Sequence, residues 1–361
     1  MATISGGITV NVGSNDASGA AFVLTTTINN QLAAGTLTLT SPTINPFTGG
    51  GLAVVPTGGS PTYLAPAVTT VIVTGDSGNS IVVGGGGQGQ QVLIGNSNVT
   101  YFSGGGSGNI ITGDGNDLIG VPATGGGNFN IILGAGQDTV TAFSGVNTIF
   151  AGGKDLIGTG AVGTLSSDLV FIGKGNVTVT GGSGQGTDTI IGGSGSATII
   201  EGAKAYSFNG NGTTGSVSTF GGTGSATVYA GSGGAFIQGG SNGNNILQGS
   251  QSGAAVTLQA GGNGDLLIAR GTGSTTLTAA TGNETLQGGA GAALFQVTVG
   301  KAANLTITGF VPAQGDKVQL LGAASIGSAI ASTAGSLVTL SDGTKINFVG
   351  YSTVSANDFR L

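Results

Sequence analysis

The chain has no cysteine, no histidine and no tryptophan among its 361 residues. Without imidazole or thiol there is no Ser-His dyad, no zincin site, no thiol nucleophile and no zinc or haem ligation through those groups. Disulfides are excluded as well. Charge is sparse: 8 Lys+Arg stand against 14 Asp+Glu, and no basic residue precedes Lys154. The cationic footprint that nucleic acid or an anionic membrane surface requires is therefore missing. No apolar run approaches the length of a membrane-spanning helix, so membrane insertion is not expected. Met1–Gly7 offers neither a basic n-region nor an apolar h-region, and a cleavable N-terminal signal is not expected either. With only 7 Pro and no Gly-X-Y period, collagen is ruled out.

What the chain has instead is glycine, 77 residues of it. Inside regular structure each costs roughly 0.5–1 kcal/mol relative to Ala, so so many are tolerable only where turns need positive φ or very close approach. Disorder is argued against by 38% hydrophobic residues and a positive mean hydropathy. The apolar residues come in short regular clusters such as Ile110-Ile111, Ile131-Ile132-Leu133 and Ile199-Ile200.

Between about residues 75 and 295 a glycine-rich loop alternates with one short apolar strand. Gly113-Asp114-Gly115-Asn116-Asp117-Leu118-Ile119 is the best-preserved copy; others begin at Gly75, Gly134, Gly184, Gly192, Gly221 and Gly239. Spacings cluster near nine residues and its multiples. Two copies then make one coil, and the pattern predicts an all-β fold, a right-handed parallel β-roll or β-solenoid over 71–300. At ~18–20 residues per coil and ~4.8 Å per strand, about eleven coils give a rod near 50 Å long.

Residues 1–70 lack the repeat and read as an N-terminal cap or assembly segment. A strand is expected over Thr3–Val12, a helix over Ala17–Leu32 capped by Asp16, a strand over Thr36–Thr40, and a proline-punctuated connection over 41–66. Residues 301–361 read as a C-terminal cap.

The repeat resembles the RTX nonapeptide (Gly-Gly-x-Gly-x-Asp-x-apolar-x) of proteins exported by bacterial type I secretion. The tail is similar too: Leu305–Phe310 leads to Gly315–Leu320, then to Leu337–Gly350 around Asp342-Gly343, and last to Ser355–Leu361. The resemblance implies an uncleaved C-terminal secretion signal, the type I apparatus as a partner, and a secreted or cell-surface location. It also implies calcium between successive coils, held by a carboxylate and by backbone carbonyls turned inward at glycine loops. Asp117, Asp138, Asp155 and Asp188 match the ligand position. Ser80, Ala197, Ala226, Asn245 and Glu284 stand at that place in other copies. Asp76 and Asp114 read as solvated turn acids, Asp265 falls one position before the family site, and Asp342 belongs to a hairpin turn.

The expected function is that of a structural protein of the cell exterior, a filament, surface-layer or biofilm-matrix subunit that forms homo-oligomers or polymers, promoted by calcium. An adhesin contacting cell-surface polysaccharide is the alternative, although Phe and Tyr are dispersed along the chain. An enzyme is not expected, since no non-repeat stretch is large enough to carry a catalytic groove.

Overall fold

The computed structural model describes residues 2–4, 8–10, 26, 29, 30, 33, 39 and 40, and 51–360 apart from 57, 59, 60, 76, 124, 162, 281 and 301–303. Half of the described residues are strand and 3% helical, an all-β protein whose parallel sheets form a β-solenoid of about 13 turns. It divides into two compact units, Met1–Thr189 and Ile190–Leu361.

In the first unit each coil contributes one strand to each of two parallel sheets. One sheet contains Gln90–Ile94, Gly106–Ile111, Gly126–Ile132, Thr148–Ala151 and Leu169–Ile172; the other contains Asn98–Phe102, Leu118–Val121, Thr139–Ala142, Leu156–Thr159 and Val177–Gly181. Register partners Ile110, Ile131, Ile149 and Val170 lie 21, 18 and 21 residues apart. Only the middle spacing equals two nonapeptides, and the loops absorb the difference while the strands stay in register. These four residues point inward from one sheet, and Tyr101, Ile119, Val140, Ile157 and Val179 point inward from the other; all nine are fully buried. Burying each such side chain contributes about 1.5–3 kcal/mol, and alternation along the strand leaves its neighbours outside.

The second unit repeats the plan with different residues. Phe208, Val228, Leu247, Leu267, Leu286, Ile307 and Phe348 stack in one sheet, opposite Ile199, Thr219, Ile237, Leu258, Leu277, Phe295 and Val318. Parallel pairing continues beyond residue 300: Asn304–Thr308 pairs with Thr285–Gln287, and Lys317–Leu321 with Ala293–Thr298. Lys345–Val349 and Phe359–Arg360 extend the two sheets in parallel on Asn304–Thr308 and Lys317–Leu321, and antiparallel pairs are added beside them. Gly335–Leu340 pairs with Lys345–Val349 around the Asp342-Gly343 turn, and Ile326–Ser332 pairs with Gly335–Leu340. Phe310 lies against Phe295, Phe348 and Tyr351, with ring centroids 5.1–5.7 Å apart.

The N-terminal expectations fare unevenly. Ala2–Ile4 and Ile8–Val10 are two antiparallel strands rather than one continuous strand. Thr26, Asn29, Asn30 and Ala33 are helical, whereas Asp16 and Asp76 lie outside the described residues. Residues 41–66 are not only a connection, because Gly51–Pro56 forms a parallel strand on Val68–Thr74 and Thr62–Tyr63 pairs with Val82–Val83. Pro56 is the last residue of its strand.

Outward positions carry ladders of neutral polar groups. Asn130 donates to Asn109 and Asn109 to Gln91, at 3.3 and 3.1 Å. In the second unit Thr278 donates to Gln296 and Gln296 to Gln319, at 2.8 and 2.9 Å. Phe150 and Phe171 stack face to face with centroids 4.7 Å apart.

Candidate functional site

The turn that precedes a strand holds the most distinctive chemistry. Its glycines are required by space. A Cβ on Gly136 would lie 1.7 Å from the Gly115 carbonyl oxygen, one on Gly153 would lie 1.9 Å from that of Gly136, and one on Gly175 would lie 1.7 Å from that of Gly153. Successive turns therefore stack backbone on backbone. Two residues after each of the first three glycines comes an acid, Asp117, Asp138 or Asp155, and in all three the side chain turns inward.

These acids form a staircase. The backbone N–H of Val99 donates to Asp117 Oδ1 at 2.7 Å, that of Asp117 to Asp138 Oδ1 at 2.8 Å, and that of Asp138 to Asp155 Oδ1 at 3.2 Å. Each carboxylate thus takes the amide of the equivalent position one coil earlier. Asp155 Oδ2 also accepts the Gly153 amide at 3.0 Å. All three side chains are at most 2% exposed.

A second staircase stands at the entry to the other sheet of the same unit. Phe129 N–H donates to Asn147 Oδ1 at 3.0 Å, Asn147 N–H to Asp168 Oδ1 at 3.0 Å, and Asp168 N–H to Asp188 Oδ1 at 3.0 Å. Asn147 Nδ2 adds a bond to Asp168 Oδ1 at 2.8 Å, and the Thr159 hydroxyl donates to Asp188 Oδ2 at 2.6 Å. In the second unit Ala226 N–H donates to Asn245 Oδ1 and Asn245 N–H to Asp265 Oδ1, while Asp265 Oδ2 accepts the Gly261 and Gly262 amides. Ala293 N–H donates to Asp316 Oδ1 at 2.7 Å.

Of the four acids the sequence singles out, Asp117, Asp138 and Asp155 are brought together in one column and Asp188 belongs to another. Asp168 was missed because Ser166-Ser167 precedes it rather than a glycine pair. Asp265 falls one position before the family site in the sequence, yet Leu266 is in register with Ile246, which puts Asp265 on the same step as Asn245. Asn245, noted as a neutral replacement in the pattern, makes the same bond as the acids.

Burial raises the pKa of these carboxyls. Asp117 is pushed up to about 7 by desolvation, with the Val99 amide pulling the other way. Asp138 is pushed up to about 8, again chiefly by desolvation, with the negative charges of Asp117, Asp155 and Asp114 adding to it. Desolvation also raises Asp155, Asp168 and Asp316. Asp117 Oδ2 and Asp138 Oδ2 are buried with no hydrogen-bond partner.

Calcium wants six to eight oxygen ligands around it. Here the carboxylates face N–H donors, whose positive ends repel a cation. Both oxygens of Asp155 and of Asp188 already accept hydrogen bonds. Among the described residues no three acidic side chains converge. In this arrangement Asp117, Asp138, Asp155 and Asp188 each satisfy a buried backbone donor through Oδ1, while Asp117 Oδ2 and Asp138 Oδ2 stay unsatisfied.

Glu284 is the exception among the steps. It stands in register after Asp265, is 2% exposed, and neither carboxylate oxygen has a hydrogen-bond partner. Its pKa is pushed up to about 7 by desolvation and by the charge of Asp265. A carboxyl with a raised folded pKa binds its proton more tightly in the native state, so stability falls as pH rises from about 4.5 to about 7. Glu284→Gln is expected to unfold at a higher temperature than wild type at pH 8, with the difference vanishing by pH 4. Thermal melts across that range check it.

No protein-family model, curated protein or solved structure matches the chain.

Proposed function

We propose that the chain is a secreted structural subunit of the bacterial cell exterior, belonging to a filament, surface layer or biofilm matrix, which self-assembles through its β-solenoid. The observation that carries this reading is the outer surface: parallel sheets whose solvent-facing rows are neutral amides, hydroxyls and apolar residues, some of them paired aromatics. Such a surface repels its own copies weakly, and sheet edges offer unpaired backbone groups to another chain. The RTX-like tail supports export by type I secretion. Adhesion to a cell-surface polysaccharide is the second reading, favoured by the outward Phe150–Phe171 stack.

Electron microscopy and sedimentation velocity of the purified chain test the first reading. Filaments, sheets or concentration-dependent oligomers are expected; a monomer at every concentration overturns it. Calcium bound at the turns is expected to promote assembly, and equal assembly in millimolar calcium and in chelator overturns that role for the metal.

A further inference from the structure

The antiparallel hairpin at the C-terminal end of the second unit leaves one strand with a single neighbour. Among the described residues Ile326–Ser332 pairs with Gly335–Leu340 and with no other strand, which leaves one row of its backbone N–H and C=O groups open. Six of its seven residues are exposed and Ile326 is half-buried. Natural edge strands are blunted by Lys, Pro, bulges or covering loops. Apart from an irregularity at its start, between Ile326 and Ser328, this one has none of those guards: Ile-Gly-Ser-Ala-Ile-Ala-Ser carries no charge and no proline. Ile330, 63% exposed, stands opposite Leu337, itself 36% exposed, so an apolar pair adjoins the open edge.

We infer that this edge is the seat of a second copy of the same chain, joined as a two-fold antiparallel strand pair centred on Ala329. The proposal rests on the self-assembly reading and names one of its contacts. The sequence of the strand suits its own copy. About a centre at Ala329, Ile326 faces Ser332 of the other copy, Gly327 faces Ala331, and Ser328 faces Ile330. Each isoleucine then meets a small residue, with Ile330 of one copy diagonal to Ile330 of the other, within the reach of cross-strand neighbours. Charge favours the same occupant. The chain carries a net charge of −6, yet no charged residue occurs from Ile326 to Leu340, so two copies approach there without repulsion. A two-fold contact of this kind uses one patch on both partners and closes on itself, so it builds pairs that other surfaces can link.

The register gives the test. Lys at both 328 and 330 puts ammonium groups opposite one another across the two-fold axis, whereas Glu at 328 with Lys at 330 puts opposite charges there. Ser328→Lys/Ile330→Lys is expected to weaken self-association by more than about tenfold, because juxtaposed like charges cost several kcal/mol. Ser328→Glu/Ile330→Lys is expected to restore it. Since the chain has no cysteine, Ala329→Cys introduces a sole thiol, expected to form a disulfide dimer under mild oxidation. Ile326→Cys is expected not to, because its copies lie ~20 Å apart at ~3.4 Å per residue. Thermal melts check that each variant folds, which the exposure of these positions favours. If wild type associates and the Lys/Lys variant associates equally well, this contact is overturned while assembly stands. If wild type is monomeric throughout, both fall.

Discussion

Asp138→Asn is expected to raise the unfolding temperature at pH 8, while Asp138→Ala is expected to lower it at pH 4, where the carboxyl is protonated in both states. The asymmetry follows from what Asp138 touches. Its Oδ1 accepts the Asp117 amide deep inside the turn, and its Oδ2 has no partner. Asn keeps the acceptor without a charge to desolvate. Asn147 and Asn245 already do this on equivalent steps, each also giving an Nδ2 bond to the carboxylate of the next coil at 2.8 Å. Asp155 Oδ1 offers the same acceptor to an Asn at 138. Ala instead leaves a buried N–H unsatisfied, which costs about 1–3 kcal/mol.

The pH profile carries the same sign. Asp117 and Asp138 are pushed up to about 7 and about 8 when folded, and near 3.9 when unfolded. Between about pH 4 and 8 the native state binds the extra protons, so stability falls as pH rises, by about 1.4 kcal/mol for each unit of separation. Wild type should therefore be more stable at pH 5 than at pH 8. Asp117→Asn/Asp138→Asn should flatten the difference. A denaturant midpoint that climbs from pH 5 to pH 8 and is insensitive to these substitutions would count against the staircase. A calcium ligand set predicts the opposite response, since the same double change would remove metal-dependent stability.

Gly136→Ala is expected to be the more damaging change, although it adds a single methyl. Its Cβ would lie 1.7 Å from the Gly115 carbonyl oxygen and 3.2 Å from Asp138 Oδ1. Backbone, rather than a flexible side chain, fills the space, so the turns must part and the staircase bonds beside them stretch. A loss above about 3 kcal/mol is expected, at the upper end of single substitutions. Gly125→Ala is the comparison: nothing lies within 4 Å of its added Cβ, though its positive φ of 69° still brings a backbone penalty. Chemical denaturation of the pair separates stacking from backbone freedom, and equal losses would defeat the stacking argument.

The coils were legible in the sequence because two demands coincide there. Glycine is needed where turns touch and an apolar residue is needed at each inward strand position, so Gly113–Ile119 and its copies announce the fold. The position of the acids was legible for the same reason. Their role was not, since a calcium ligand and an acceptor for a buried amide call for the same carboxylate in the same turn. The Val99, Asp117 and Asp138 amides, each donating to an Oδ1, show the second of these demands. Asp168 and Asp265 were hidden by loops of irregular length, and the strand Gly51–Pro56 by the prolines around it. The open edge at Ile326–Ser332 depended on which neighbours the hairpin acquired, which pairing decides and composition does not.

The staircase also has a direction, and that direction makes the coils interchangeable. A coil with Gly-x-Asp brings an acceptor for the coil before it and presents a donor to the coil after it. Any such coil therefore docks on any other without a matched partner elsewhere in the chain. A protein built this way can be lengthened or shortened by whole coils, by duplication or deletion of some twenty codons, with each junction satisfied as soon as it is made.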